Sequence, residues 1–242
     1  MELEKLKINF LGDSITVGIG ASSPEKGFVS LIAQKTGAVC NNYGISGSRI
    51  AKQKDHFYEW EESDDYFNLR VADMEKDADV VIVFGGTNDQ GHGDAPLGKP
   101  DSRDEGTFRG ALNVLCENLI NAFPKAGIAF ITPLHRLNED ADWNSFGVRN
   151  AAPLSGYCDI IKEICPKYSI PVFDAYSELG INPVFEVQKE IYMPDGLHPS
   201  DNGHERLADY IISKLPVLVS SGVREGRFEK LLGSPRRASS EK

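Results

Sequence analysis

Apolar positions along this chain fall into two alternating patterns. Short, strand-like runs occur at residues 8–11, 38–43, 80–84 and 128–131 and at Val172-Phe173. Val80-Val81-Ile82-Val83-Phe84 has no polar alternation at all. A strand of that kind is covered on both faces, as in the middle of a parallel sheet. Between the runs lie segments of helical period. Phe108, Ala111, Leu112, Leu115, Leu119 and Phe123 share one face, and Pro124 closes that helix. Tyr157, Ile161 and Ile164 mark a second helix before Pro166. Leu207, Ile211 and Leu215 mark the last, with Ser200 placed to cap it.

Strands and helices that alternate at this spacing predict a parallel sheet with helices on both faces and right-handed crossovers. Five strands suit a three-layer α/β/α, flavodoxin-like domain of strand order 2-1-3-4-5. Two stretches interrupt the pattern. Residues 53–72 are rich in acids and aromatics and read as a partly helical excursion. Residues 133–151 carry Pro133, His135, Arg136, Trp143, Phe146 and Arg149 between a strand end and the next helix. Connections so long, placed at a strand end, point to function. The chain therefore reads as one domain over 1–218, followed by a polar, flexible tail over 219–242 rich in Ser, Gly, Arg, Glu and Lys.

Composition narrows the partners. With 242 residues the chain is long enough to bury a sizeable core, and its formal net charge of −10 disfavours nucleic acid and anionic membranes. The first residues lack the apolar region of a signal peptide, and no run reaches membrane-spanning length. Cys40, Cys116, Cys158 and Cys165 are scattered and form no C-x-x-C pair. The expectation is a reduced cytoplasmic protein without metal, disulfide or cofactor, acting on a small molecule.

The chemistry is concentrated in the turns. Gly12-Asp13-Ser14-Ile15-Thr16 follows the first run, Gly44-Ile45-Ser46-Gly47 the second, and Gly85-Gly86-Thr87-Asn88-Asp89 the third. Strands one and three flank the switch point of a 2-1-3-4-5 sheet, and ligands bind at the carboxyl ends of such strands. The turns that carry Ser14, Gly44 and Asn88 should therefore meet in one crevice. Pro194-Asp195-Gly196-Leu197-His198-Pro199 precedes the last helix. A serine hydroxyl needs a base within hydrogen-bond reach before it can attack a carbonyl. His198 is the candidate base, and Asp195 can hold its other ring nitrogen. The oxyanion of a tetrahedral intermediate needs donors already in place. The N–H groups of Ser14 and Gly44 and the Asn88 amide can supply three.

These four blocks, in this order, resemble those of the SGNH/GDSL hydrolase family over about residues 7 to 215. The resemblance implies Ser14 as nucleophile, His198 as base, Asp195 as its orienting partner, and Gly44 and Asn88 in the oxyanion hole. It also implies the three-layer fold. Ile15-Thr16 stands where many members have Leu, beside the nucleophile rather than in it. The G-x-S-x-G elbow of α/β-hydrolases is absent.

The expected activity is hydrolysis of a carboxylic ester, with short acyl groups such as acetyl on a sugar or other small polar alcohol. A lysophospholipase or thioesterase and a non-catalytic binding module are the rivals. Several residues allow two readings. Asp195 and His198 could cap the last helix, or form a metal site with His204, although the spacing fits no standard metal motif. His204 reads as a packed, neutral histidine in the first turn of that helix. His92 and Asp94, in the polar loop after Asn88, could line a substrate pocket or simply shape the loop. Trp143 could be a platform for a sugar ring, although packing for its own loop is the plainer reading. Arg136 and Arg149 could clamp a substrate, but solvated charge is the ordinary role.

Overall fold

The computed structural model describes residues 3–53 and 65–221. Five parallel strands form one sheet: β1 (Lys7–Gly12), β2 (Val39–Gly44), β3 (Val80–Phe84), β4 (Gly127–Ile131) and β5 (Val172–Phe173). Their order is β2-β1-β3-β4-β5, as the runs predict. The register sets Gly12 of β1 beside Gly44 of β2 and Phe84 of β3, so three strand ends meet at one edge.

The central strand shows why its sequence does not alternate. Val81 and Val83 face a core built with α5 (Phe108–Ala122) and α6 (Leu154–Ile164). Val80, Ile82 and Phe84 face the opposite core, under α2 (Phe28–Thr36) and α9 (Asp201–Ser221). With every residue of β3 buried, neither face leaves room for a polar side chain. Shorter helices complete the chain: α1 (Ser14–Val17), α3 (Phe67–Arg70), α4 (Thr87–His92), α7 (Ala175–Glu178) and α8 (Glu186–Tyr192).

The helix ends follow capping chemistry. Thr107 caps α5 by accepting the Gly110 N–H at 3.1 Å. At α9 the Ser200 hydroxyl accepts the Gly203 N–H, and the Ser200 carbonyl accepts the His204 N–H. His204 is fully buried and stacks on Phe28. Its Nδ1 accepts the Phe28 N–H, so the ring proton sits on Nε2 and is donated to the Ile19 carbonyl at 3.1 Å. Burial lowers its pKa. His204 is thus a neutral packing residue, as expected.

The last helix runs through Ser221, three residues beyond the expected domain boundary, and Leu218 is buried within it. The rest of the predicted tail, 222–242, and residues 54–64 of the acidic excursion lie outside the described residues. Among the described residues, no helix is long and apolar enough to cross a membrane. Cys40, Cys116, Cys158 and Cys165 are all free.

Candidate active site

β1 ends at Gly12, and Asp13 caps the short helix α1 that follows. The Asp13 carboxylate accepts the Ile15 N–H at 3.0 Å. Ser14 therefore stands at the first position of a helix, at the carboxyl edge of the sheet.

His198 reaches Ser14 from the opposite end of the chain, in the turn between α8 and α9. The Asp195 carboxylate organises that turn. Its Oδ1 accepts the backbone N–H of Leu197 at 2.8 Å and of His198 at 2.7 Å. Its Oδ2 lies 2.7 Å from His198 Nδ1, and His198 Nε2 lies 3.0 Å from Ser14 Oγ. Partial desolvation would raise the Asp195 pKa, but the hydrogen bonds from His198 and Leu197 outweigh it and hold the pKa below the ordinary carboxylate value. An ionised Asp195 accepts a hydrogen bond from His198 Nδ1–H, which leaves Nε2 free to accept from the Ser14 hydroxyl. The sequence places these three side chains up to 184 positions apart, and the fold brings them into one hydrogen-bonded line.

Asn88 lies in the first turn of α4, with its side chain buried. One Nδ2 hydrogen is donated to the Ser48 carbonyl at 3.0 Å, which fixes the amide and leaves the second hydrogen free to donate.

The expected partner Gly44 does not sit with them. Its N–H is donated to the Asn42 side chain at 2.9 Å, and Gly44 does not line the cavity at Ser14. Its lack of a side chain serves packing instead: a Cβ there would stand 2.5 Å from the Val17 nitrogen. Gly47, three residues on, does line that cavity together with Ser14 and Asn88. Its φ of +79° is one that glycine adopts without strain.

Two buried groups hold the 45–51 loop against the strand ends, and sequence reasoning missed both. Arg70 donates to the carbonyls of Gly12 and Tyr43 and, at 2.9 Å, to the Ser48 hydroxyl. It comes from the 53–72 excursion, where no periodicity marks it out. Asp89, next to Asn88, accepts the N–H groups of Ile50 and Ala51, both at 2.9 Å. Burial pushes the Asp89 pKa up to about 6 against these hydrogen bonds and Arg49.

A cavity of about 850 Å³ opens at Ser14 and His198. His92, Arg136 and Trp143 line it; Asp94 does not, and its N–H is donated to Gln53. Burial, then the charges of Arg49 and Arg136, push the His92 pKa down to about 3, so its ring is neutral. Arg136 is 9% exposed and Trp143 61%, which reverses the plainer sequence reading of each. The cation is buried, and the indole is an open face on the cavity wall rather than packing for its loop. Arg149 stays exposed and pairs with Trp143 only through a backbone bridge.

Asn144 organises the 133–151 loop. Its Oδ1 accepts from Phe146 and Val148, and its Nδ2 donates to Gly93 at the end of α4. Among the described residues, no cluster of His, Cys, Asp or Glu could hold a metal ion.

Comparison with known proteins bears on the family and the fold. A model of the GDSL-like lipase/acylhydrolase family matches residues 10–206. A protein from Lactobacillus plantarum is 30% identical with a TM-score of 0.74, covering 88% of this chain and 98% of that one. The lipase/acylhydrolase from Enterococcus faecalis is 20% identical with a TM-score of 0.60, covering 87% of this chain and 95% of that one. An acetyl xylan esterase, AlAXEase, is 19% identical with a TM-score of 0.60, covering 86% of this chain and 99% of that one. At such identities the last two likenesses concern the fold alone. No functionally curated protein matches.

Proposed function

The chain belongs to the GDSL-like lipase/acylhydrolase family, and from that premise we propose that it hydrolyses carboxylic esters through an acyl-Ser14 intermediate. One observation carries the reading: Ser14 Oγ, His198 and Asp195 form a continuous hydrogen-bonded line with steps of 3.0 and 2.7 Å.

In this mechanism His198 Nε2 takes the Ser14 proton as Oγ attacks the ester carbonyl, and Asp195 stabilises the imidazolium that forms. The N–H groups of Ser14 and Gly47 and the free hydrogen of Asn88 Nδ2 receive the oxyanion. Gly47 takes the role the sequence assigns to Gly44, whose N–H is already engaged. The alcohol leaves with the proton from Nε2. A water molecule, deprotonated by the same nitrogen, then attacks the acyl-enzyme, and a second collapse returns free Ser14 and the carboxylic acid. No step calls for a cofactor.

The acyl group is short, acetyl above all, and the alcohol is a sugar or similar polar compound. The cavity wall supports this, since Asn138, Asn144 and Asn150 offer hydrogen bonds beside the exposed ring of Trp143. A long acyl chain would need a continuous aliphatic groove, and Ile19 and Leu197 are the only aliphatic residues larger than alanine among those lining the cavity. The compartment we assign is the cytoplasm, which suits four free cysteines.

A fluorophosphonate probe tests the mechanism. It should label Ser14 alone, and Ser14→Ala should fold yet lose nearly all turnover; labelling elsewhere or an active variant would refute it. On aryl esters, kcat/KM should fall as the acyl chain lengthens from acetyl to octanoyl, and a rise would refute the short-acyl reading while leaving the Ser14 chemistry intact.

A further inference from the structure

The charge on the cavity wall runs against the charge on the protein. The chain carries 36 acidic residues against 26 Lys and Arg, yet no Asp or Glu is found among the described residues that line the cavity at Ser14. Apart from Arg136, Ile19, Leu197, Trp143 and the two histidines, the wall is made of amides, hydroxyls and small residues. Setting histidines aside, its one charged side chain is Arg136.

Arg136 is a buried cation whose guanidinium forms no direct ion pair, although the charge of Glu139 acts on it from nearby. It is 9% exposed and makes no ion pair with any described residue. NH2 donates to the Gln90 amide oxygen, NH1 donates to the Leu137 carbonyl at 3.1 Å, and the buried Nε–H has no partner. That leaves one further hydrogen on each terminal nitrogen.

Glu139 is the nearby acid, and its carboxylate is turned to other groups. It accepts the backbone N–H of Arg136 at 2.9 Å, the Tyr176 hydroxyl at 3.0 Å, and lies 2.9 Å from His135 Nδ1. Gly91 makes room for the guanidinium, because a Cβ there would stand 3.0 Å from Arg136 NH2. Burying a cation while its nearest carboxylate is bonded elsewhere is costly, and an anionic group on a ligand would offset that cost.

We infer that the ester cleaved here carries an oxyanionic group, a carboxylate or phosphate, on its alcohol half, and that Arg136 receives it. The inference rests on the acylhydrolase reading, in which Ser14 holds the acyl group and the alcohol half extends along the rest of the cavity. Arg136 is then a specificity-determining residue. His92 beside it stays neutral, held so by burial and by the charges of Arg49 and Arg136, and adds no negative charge to the wall. Neutral amides from Asn138, Asn144 and Asn150 can bind the sugar hydroxyls without opposing that charge.

The test compares three O-acetylated sugars of one ring configuration: a uronic acid, the neutral hexose and the hexose phosphate. Rates are measured on wild type and on Arg136→Gln. Wild type should prefer at least one anionic ester over the neutral one by about ten- to a hundredfold in kcat/KM, the scale of hydrogen bonds to a charged group. Whether the uronate or the phosphate is preferred identifies the anion. In Arg136→Gln that ratio should fall to near one. Because the ratio is taken within one preparation, any loss of folded enzyme cancels. Equal rates in wild type, or a preference that survives in Arg136→Gln, would overturn the proposal. So would turnover of p-nitrophenyl acetate with none of the three sugars cleaved, although Ser14 chemistry would then stand. If p-nitrophenyl acetate is not cleaved and the fluorophosphonate leaves Ser14 unlabelled, the acylhydrolase reading falls and takes this inference with it.

Discussion

At the scale of single residues, the site depends on donors aimed before the substrate arrives. Asn88 is the proposed example: Ser48 holds one amide hydrogen and leaves the other to donate to the oxyanion. Such a donor acts on the transition state and little on the ground state. Asn88→Ala should therefore lower kcat about 10²–10³-fold with KM nearly unchanged. Steady-state kinetics on an aryl acetate check this, and a raised KM at constant kcat would make Asn88 a substrate-binding group instead. The residue scale is also where sequence reading is weakest. Ser14, Asn88, Asp195 and His198 are legible because each stands in a short block after a recognisable element. Gly44 and Gly47 stand three residues apart at the end of β2, and only the folded structure, through the hydrogen bond from Gly44 to Asn42 and the place of Gly47 on the cavity wall, tells them apart. Arg70 and Arg136 look like surface charge along the chain, since burial of a lone arginine leaves no periodic trace.

At the scale of elements, the short helix α1 concentrates the tension between folding and catalysis. Its cap, Asp13, is buried, and desolvation pushes its pKa up to about 7 against the hydrogen bond from Ile15 and the charge of Arg70. The native state therefore holds a proton across a range in which an unfolded aspartate, with a pKa near 3.8, has released it. Stability contributed at this site falls as pH rises from about 4 to about 7 and is level above that. Asn can accept the same Ile15 hydrogen bond without the charge. Asp13→Asn should thus gain Tm relative to wild type progressively across that window, with a constant difference at higher pH. The charge of Asp89 adds to the rise at Asp13, so removing Asp13 also eases the ionisation of Asp89 and adds to the gain in the same direction. Thermal unfolding in a pH series reads this directly, and a difference that shrinks towards pH 7 would refute it. Strands were the legible elements. All five runs became strands; β1, β3 and β4 are covered on both faces, which concentrates apolar residues into short blocks, while β2 lies at the sheet edge with no residue fully buried. Helix α2 was not, since it starts at Gly27 with no side-chain cap and its residues Phe28, Val29 and Ile32 read equally well as a strand.

For the molecule as a whole, Ser14 and Asn88 stand at the sheet edge, but His198, the base in the proposed mechanism, comes from the last connection before α9. On that mechanism the line should be complete only when α9 is docked. That docking is apolar along its length: Leu207, Ile211, Leu215 and Leu218 are all buried in the core shared with α2 and β4. It is polar near the site, where His204 bridges Ile19 and Phe28 and the Ser200 N–H meets the Tyr192 carbonyl. A chain ending at Ser221 keeps all of these contacts and should match the full-length protein in Tm and in kcat/KM. A chain ending at Lys214 loses Leu215 and Leu218. Emptying one buried leucine site costs about 2–5 kcal/mol, and two such losses approach the whole stability of an ordinary domain. That shorter chain should be largely unfolded or insoluble, and any soluble fraction should label poorly with a fluorophosphonate because His198 is no longer held against Ser14. If the chain ending at Lys214 instead kept the full-length Tm and activity, the last turns of α9 would be dispensable. The base would then be positioned by the Asp195 turn alone.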